Sequence, residues 1–267
     1  MSFPGSVLLS PKSVVTTTTV KRHRFGTRGQ TTDGRVFRYA KAGATVTKGR
    51  IVTAKAQGDM AYDTNTAPYT DTGWTTTWNH IRLSTTWASP GGSTGVTKDL
   101  FADGYAWTGS TEGYGGQVVT IKSNTTGATS AASQFTVLTF QDESRWSADF
   151  DSETRIGVIM NPYNGVIVQA GGALPTTLRV IGVAPCTVAS GSYFWLQTWG
   201  PAAVIQVSTN LAVGDVAVMS SSTGVARCTS TDVDVIPVIQ NAPKIGYVLA
   251  PQTSDGDFML LQLTIDP

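Results

Sequence analysis

The chain has 267 residues, a formal net charge of +1, 40% hydrophobic and 14% charged residues. Seven Trp, eight Tyr and nine Phe exclude a chain too poor in apolar surface to fold. No apolar run approaches the roughly 18–20 residues needed to cross a bilayer, and residues 1–10 (MSFPGSVLLS) lack the basic start and apolar core of a secretory signal, so synthesis in a cytoplasm is expected.

The near-neutral total hides a strong asymmetry. Residues 1–60 carry eleven Lys or Arg against Asp33 and Asp59, a net of +9, and the remainder carries −8. A basic leader on a neutral-to-acidic body suits a protein that is laid onto a partner more than one that turns over a substrate.

Residues 1–32 show no clean period. They hold the Thr16 to Thr19 run and the Lys21-Arg22-His23-Arg24 cluster, followed by Arg28. Such a segment is expected to be an extended arm ordered by another chain. Asp33-Gly34 is a turn signal. After it, Arg35-Val36-Phe37-Arg38-Tyr39-Ala40 alternates basic and apolar residues, as a strand with one wet face does. Residues 45–54 (TVTKGRIVTA) read as two short strands hinged near Lys48-Gly49.

Further strands are expected at 117–121 (QVVTI), 135–140 (FTVLTF), 155–160, 165–169, 178–183, 193–198, 203–207, 215–219, 235–239, 244–249 and 258–265. The acidic window 141–153 is expected to carry a helical turn at 145–150. Short strands with turn signals every 8–12 residues predict an all-β sandwich or barrel-like body of short antiparallel strands, with little helix. The expected division is an arm over 1–32 and a body over 33–267, within which a central 70–204 region is flanked by a barrel-like part from 33–69 and 205–267. Two internal echoes stand out: 102–107 (ADGYAW) with 189–195 (ASGSYFW), and 46–52 (VTKGRIV) with 211–217 (LAVGDVA).

Candidates for chemistry are thin. His23 and His80 have no patterned Ser or Asp partner, so no triad is indicated. Asp142, Glu143, Asp149, Asp151 and Glu153 could supply a glycosidase carboxylate pair, but read better as a solvated loop. The pairs Asp149/Asp151, Asp232/Asp234 and Asp255/Asp257 lack EF-hand spacing, and no glycine-rich phosphate loop opens a helix. Cys186 and Cys228 read as two thiols, not a disulfide framework. No catalytic residue, cofactor or metal site is expected. Trp74, Trp78, Trp87, Trp107, Trp146, Trp195 and Trp199 raise the option of sugar stacking, but they form no compact strip in the sequence. The cationic cluster suits an acidic protein surface better than nucleic acid, since no nucleic-acid module surrounds it.

The strings 33–49 (DGRVFRYAKAGATVTKG), 101–125 (FADGYAWTGSTEGYGGQVVTIKSNT), 156–168 (IGVIMNPYNGVIV) and 181–204 (IGVAPCTVASGSYFWLQTWGPAAV) resemble virion proteins of tailed bacteriophages. The tail strings 214–226 (GDVAVMSSSTGVA) and 245–251 (IGYVLAP) are similar to small head-decoration β-barrels. The resemblance implies a capsid cement or decoration protein, without catalytic activity, on the outer surface of the major capsid protein shell of the virion. Its implied partners are the major capsid protein and itself, as a homotrimer, with neither membrane nor nucleic acid. On this reading Lys21, Arg22, Arg24, Arg28, Arg35 and Arg38 dock on the capsid, while Trp107, Tyr193, Trp195 and Trp199 serve packing and oligomer contacts. The alternatives are a carbohydrate-binding host-recognition or fibre module and a polysaccharide-degrading enzyme.

Overall fold

The computed structural model describes residues 5–55, 61–63, 79–84, 96–108, 116–126, 135–141, 156–168, 179–207, 211–219, 225–228 and 243–267. It is an all-β structure whose described helix is a single turn, α1 (Pro11–Val14). The chain divides into two compact units, Met1–Lys55 with Pro162–Pro267, and Ala56–Asn161. The first unit takes strands from both ends of the chain. The expected barrel-like part resumed at residue 205; this unit resumes at Pro162, and β11, β12 and β13, between those positions, are the strands that close the barrel with β3 and β4.

In the first unit, β1 (Ser6–Leu8) and β2 (Arg28–Gln30) come from the leader and β3 (Val36–Ala42) and β4 (Ile51–Thr53) follow. After the second unit the chain returns as β11 (Asn164–Val168), β12 (Val180–Val183), β13 (Tyr193–Ile205), β14 (Val216–Met219), β15 (Val225–Cys228), β16 (Lys244–Ala250) and β17 (Phe258–Thr264). The order β3-β11-β4-β12-β13 closes on itself through a β13–β3 pairing, making a five-stranded barrel. Closure removes unpaired edges from those strands.

The strand β13 has a double task. Its first half pairs with β3, Tyr193 opposite Lys41 to Trp199 opposite Val36. Its second half pairs with β17, Trp199 opposite Thr264 to Ile205 opposite Phe258. Gly200, at φ +86° in mid-strand, supplies the left-handed residue where the pairing changes hands, and a Cβ there would come 3.0 Å from Arg35 Cγ. Two expected strands, 193–198 and 203–207, are thus one. Beyond β17 the sheet continues through β16 and β14 to β15, over a core that includes Val204, Ala217, Ile245, Met259, Leu261 and Leu263.

The leader is not an arm waiting for another chain. Ser10 caps α1, its Oγ accepting from the Ser13 N–H at 3.2 Å with Pro11 in the first turn. Strand β2 pairs antiparallel with β3, and β1 pairs parallel with β2. Leu9 and Val14 are buried with Phe37, Tyr39 and Trp195. Leader and body meet so closely at Gly29 that a Cβ would lie 2.5 Å from Leu9 and 2.9 Å from Trp195. The apolar side chains that order this segment belong to its own chain. For the same reason β3 departs from simple alternation: Val36 and Phe37 are both buried, as are Tyr39 and Ala40.

The second unit holds β5 (Ala61–Asp63), β6 (His80–Ser84), β7 (Tyr105–Thr108), β8 (Val118–Asn124), β9 (Phe135–Phe140) and β10 (Ile156–Ile159). They form a sheet in the order β5-β10-β7-β8-β9-β6, antiparallel at every described pairing. Phe101, Ile121, Leu138, Phe140, Ile156 and Val158 are buried in it. Asn124, 2% exposed, clasps the loop ahead of β7: its Oδ1 accepts from Phe101 N–H at 2.8 Å and its Nδ2 donates to Thr97 and Thr125 carbonyls, each at 2.9 Å. That network meets the polar demands of a buried amide. The helical turn expected at 145–150 and the strand expected at 235–239 lie outside the described residues.

Candidate functional site

Two sets of residues that the sequence keeps apart meet on the first unit. The turn Thr31–Gly34 launches β3, with Gly34 at φ +86° donating to the Thr31 carbonyl at 3.0 Å. Strand β3 then sets Tyr39 beside β13, where Trp195 is opposite Tyr39 and Tyr193 opposite Lys41. Tyr39 and Tyr193 stack at 5.9 Å and 9°, and Phe25 stacks on Tyr193 at 6.0 Å and 15°. Trp195 meets Tyr39 at 5.2 Å, and His23 lies 5.1 Å from Tyr39 and 5.3 Å from Trp195. Cations cover this ladder: Lys21 Nζ is 4.3 Å from the Phe25 ring centre and Lys41 Nζ 5.7 Å from that of Tyr193. The Arg22 backbone N–H donates to Tyr39 Oη at 3.0 Å, tying the basic cluster to the strand.

Of the residues expected to dock on a capsid, Arg22 and Arg24 are exposed and Lys21 is half-buried over Phe25. The other three have work inside the fold. Arg28 donates to Gln30 Oε1 at 2.9 Å. Arg35 pairs with Asp33 at 2.8 Å, and the Asp33 carboxyl, which also accepts from the Thr31 hydroxyl, is held below the usual carboxylate range by that hydroxyl first and then by Arg35. Arg38 pairs with Asp266 at 2.8 Å. Asp266 also accepts from Tyr163 Oη at 2.9 Å, and its backbone carbonyl accepts from the Thr198 hydroxyl at 2.6 Å. Burial and the Asp266 carboxylate push the Tyr163 phenol well above its ordinary pKa. Arg38 is therefore a clasp between β3 and the last residues of the chain.

The aromatic residues assigned to packing are also accounted for within their units. Trp195 is 6% exposed, under the leader. Trp107 lies over Gly157 of β10, where a Cβ would fall 2.2 Å from the indole. Trp199 is half-buried at the point where β13 passes from β3 to β17. Sequence reasoning missed Phe25, Tyr39, Lys41 and the structural place of His23. The one available signal was the aromatic in the expected β3 strand, because nothing local shows which residues from 150 positions away will stack on it.

Cys186 is free and half-buried, with burial raising its thiol pKa. Asp255 and Asp257 are exposed ahead of β17. Among the described residues, no group of three or more His, Cys, Asp or Glu is placed to hold a metal, and no helix is long and apolar enough to cross a membrane. The acidic residues 142, 143, 149, 151, 153, 232 and 234 and the tryptophans 74, 78, 87 and 146 lie outside the described residues, as does the side chain of Cys228.

These features define an all-β protein with a barrel unit that presents a cation-covered aromatic ladder. Set against known proteins, the chain matches no family model, no curated protein and no solved structure.

Proposed function

We propose that this chain is a structural virion protein of a tailed bacteriophage, a cement or decoration protein that binds the outer surface of the major capsid protein shell and stabilises the head. It is a binder without catalytic turnover, made in the host cytoplasm and assembled with copies of itself as a trimer. The observation that carries the reading is the segregation of charge between the two units. The barrel unit holds fourteen Lys or Arg against seven Asp, a net of +7, and the inserted unit five against eleven Asp or Glu, a net of −6. Opposite charge on two β units steers approach to a patterned surface and selects register. Several copies around a symmetry axis multiply a modest single-site affinity. The resemblance of residues 33–49, 101–125, 156–168 and 181–204 to phage virion proteins points the same way. A sugar-stacking role draws less support, because Tyr39 and Trp195 are only 3% and 6% exposed.

The test is occupancy of purified heads that lack this chain, measured by co-sedimentation over a salt series. Replacing the exposed pair, Arg22→Glu with Arg24→Glu, is expected to lower occupancy about tenfold at low ionic strength, with the difference shrinking as salt screens the contact. Occupancy unchanged at every salt concentration removes the docking role. Charge reversal is a cleaner probe than deleting the leader, whose Leu9 and Val14 belong to the core.

A further inference from the structure

Beside the aromatic ladder lies a cavity of about 330 Å³, lined by residues of β1, α1, the leader, β3 and β13. That volume falls at the small end of ligand-sized pockets, enough for a few side chains of a partner. Its lining includes Lys12, Arg22 and His23 and contains no carboxylate. Lys12 and Arg22 are exposed, and among the described residues neither side chain forms an ion pair. Their positive charge is therefore uncompensated within this part of the fold. The root of Arg22 is fixed by the hydrogen bond from its backbone N–H to Tyr39 of β3, so this leader cation is anchored to a strand of the barrel.

A second observation says what shape of partner fits. Strand β1 ends the eleven-stranded order, pairing with β2 and with no other described strand. Residues Val7 and Leu8 of that edge line the same cavity, and Leu8 is 74% exposed. A sheet edge with a free row of backbone groups takes an extended segment by strand addition, with side-chain pockets giving the specificity. The aromatic rings contribute the floor but little open face, which disfavours a stacked sugar.

We infer that the β1 edge and this cavity form a receptor for an extended acidic peptide segment of the shell protein. Its backbone pairs along Ser6–Leu8, its carboxylates meet Lys12 and Arg22, and an apolar side chain covers Leu8. The assignment of the peptide to the shell rests on the docking role proposed above, whereas the receptor itself stands on the geometry.

The experiment uses the full chain and a fluorescein-labelled heptapeptide of alternating Glu and Leu, followed by anisotropy. Saturable binding is expected, weakened about tenfold by Lys12→Glu and by Leu8→Asp and unaffected by Lys244→Glu, an exposed cation on β16. Equal weakening by Lys244→Glu, no response to the two pocket variants, or equal binding of the Gln-for-Glu peptide overturns the receptor. Tighter, pocket-dependent binding of polygalacturonate overturns the peptide class in favour of an acidic sugar. Displacement of the probe by a peptide of residues 141–153, together with a concentration-dependent rise in mass of the chain, overturns the shell segment in favour of a second copy. The two proposals separate on heads: wild-type occupancy by the Lys12→Glu and Leu8→Asp variants sinks the receptor alone, and peptide binding without any head occupancy sinks the cement role alone.

Discussion

The two units solve the same problem, how to bury β-sheet built from Thr, Val and Gly, in different ways. The barrel unit recruits β3 and β4 from before the insertion and β11, β12 and β13 from after it, then closes. The inserted unit arranges its described strands as an open antiparallel order whose end strands, β5 and β6, each have a single described partner. Closure here depends on long-range pairing, since β13 returns to β3 across about 150 positions of chain. Such pairing is paid for in loop entropy before it is rewarded by contacts. The difference teaches that long-range pairing alone does not close a sheet. The inserted unit also joins distant strands, β10 to β5 and β9 to β6, while the barrel closes because one long strand, β13, pairs with β3 in its first half and with β17 in its second.

Four substitutions would break or sharpen this contrast. The largest effect is expected from Trp195→Ala, which empties the space between β13 and the leader. Loss of a buried tryptophan costs about 3–5 kcal/mol, read as a shift in urea midpoint of the barrel unit's transition. The leader should at the same time become cleavable by trypsin at Lys12 and Lys21. A leader that stays protected would mean its order comes from elsewhere.

In the inserted unit, Gly157→Val drives a side chain into the Trp107 indole, 2.2 Å from the position of its Cβ. Overpacking of this kind costs about 1–3 kcal/mol. The destabilisation should fall on the inserted unit's unfolding step and leave that of the barrel in place, as judged by hydrogen exchange of β10 against β13.

The smallest effect belongs to the terminal clasp. Asp266→Ala removes the acceptor of both Arg38 and Tyr163 and is expected to cost about 1–2 kcal/mol near neutral pH. The clasp also has a pH signature. Because the Tyr163 phenol has a pKa raised by burial and by Asp266, the folded chain holds that proton more tightly than the unfolded one. The associated stability is complete below about pH 10, the ordinary tyrosine value, and is lost as pH rises toward the folded value. Tyr163→Phe should flatten this alkaline decline in a thermal-melt series. An unchanged decline would place its origin in another group.

Local pattern made several elements legible. The runs QVVTI and FTVLTF are β8 and β9 nearly as read, because β-branched and aromatic residues bounded by polar turns suit a half-buried pleat. The echo of 46–52 in 211–217 is also a real repeat of local structure. Each begins on a buried residue, Val46 or Leu211, and each places a glycine at φ near +80° in its fourth position, +72° at Gly49 and +87° at Gly214. A turn bond follows in both, Arg50 N–H to the Thr47 carbonyl and Asp215 N–H to that of Ala212. The other echo does not hold: the left-handed residue is Asp103 in 102–107 but Gly191 in 189–195, one position later in the aligned string.

The candidate site was legible only in pieces. Cations in the leader and aromatics at 193–199 could each be noticed, yet Arg28, Arg35 and Arg38 looked as available as Arg22 and Arg24. Arg28, Arg35 and Arg38 have Gln30, Asp33 and Asp266 within reach of their guanidinium groups, and for Arg38 that partner is at the far end of the chain. Gly200-Pro201 likewise reads as a strand break, since both residues are turn formers. The structure carries the strand through it because the bend is what passes β13 from one partner to the next.

By itself the sequence determined the strand-rich class, the turns at Asp33-Gly34 and Lys48-Gly49, and the uneven distribution of charge, all properties of neighbouring residues or of composition. The tertiary structure alone decided that the leader is part of the core, that β13 closes a barrel, and which cations remain exposed. Those outcomes depend on side chains distant along the chain excluding water together, and local periodicity carries no record of such partners.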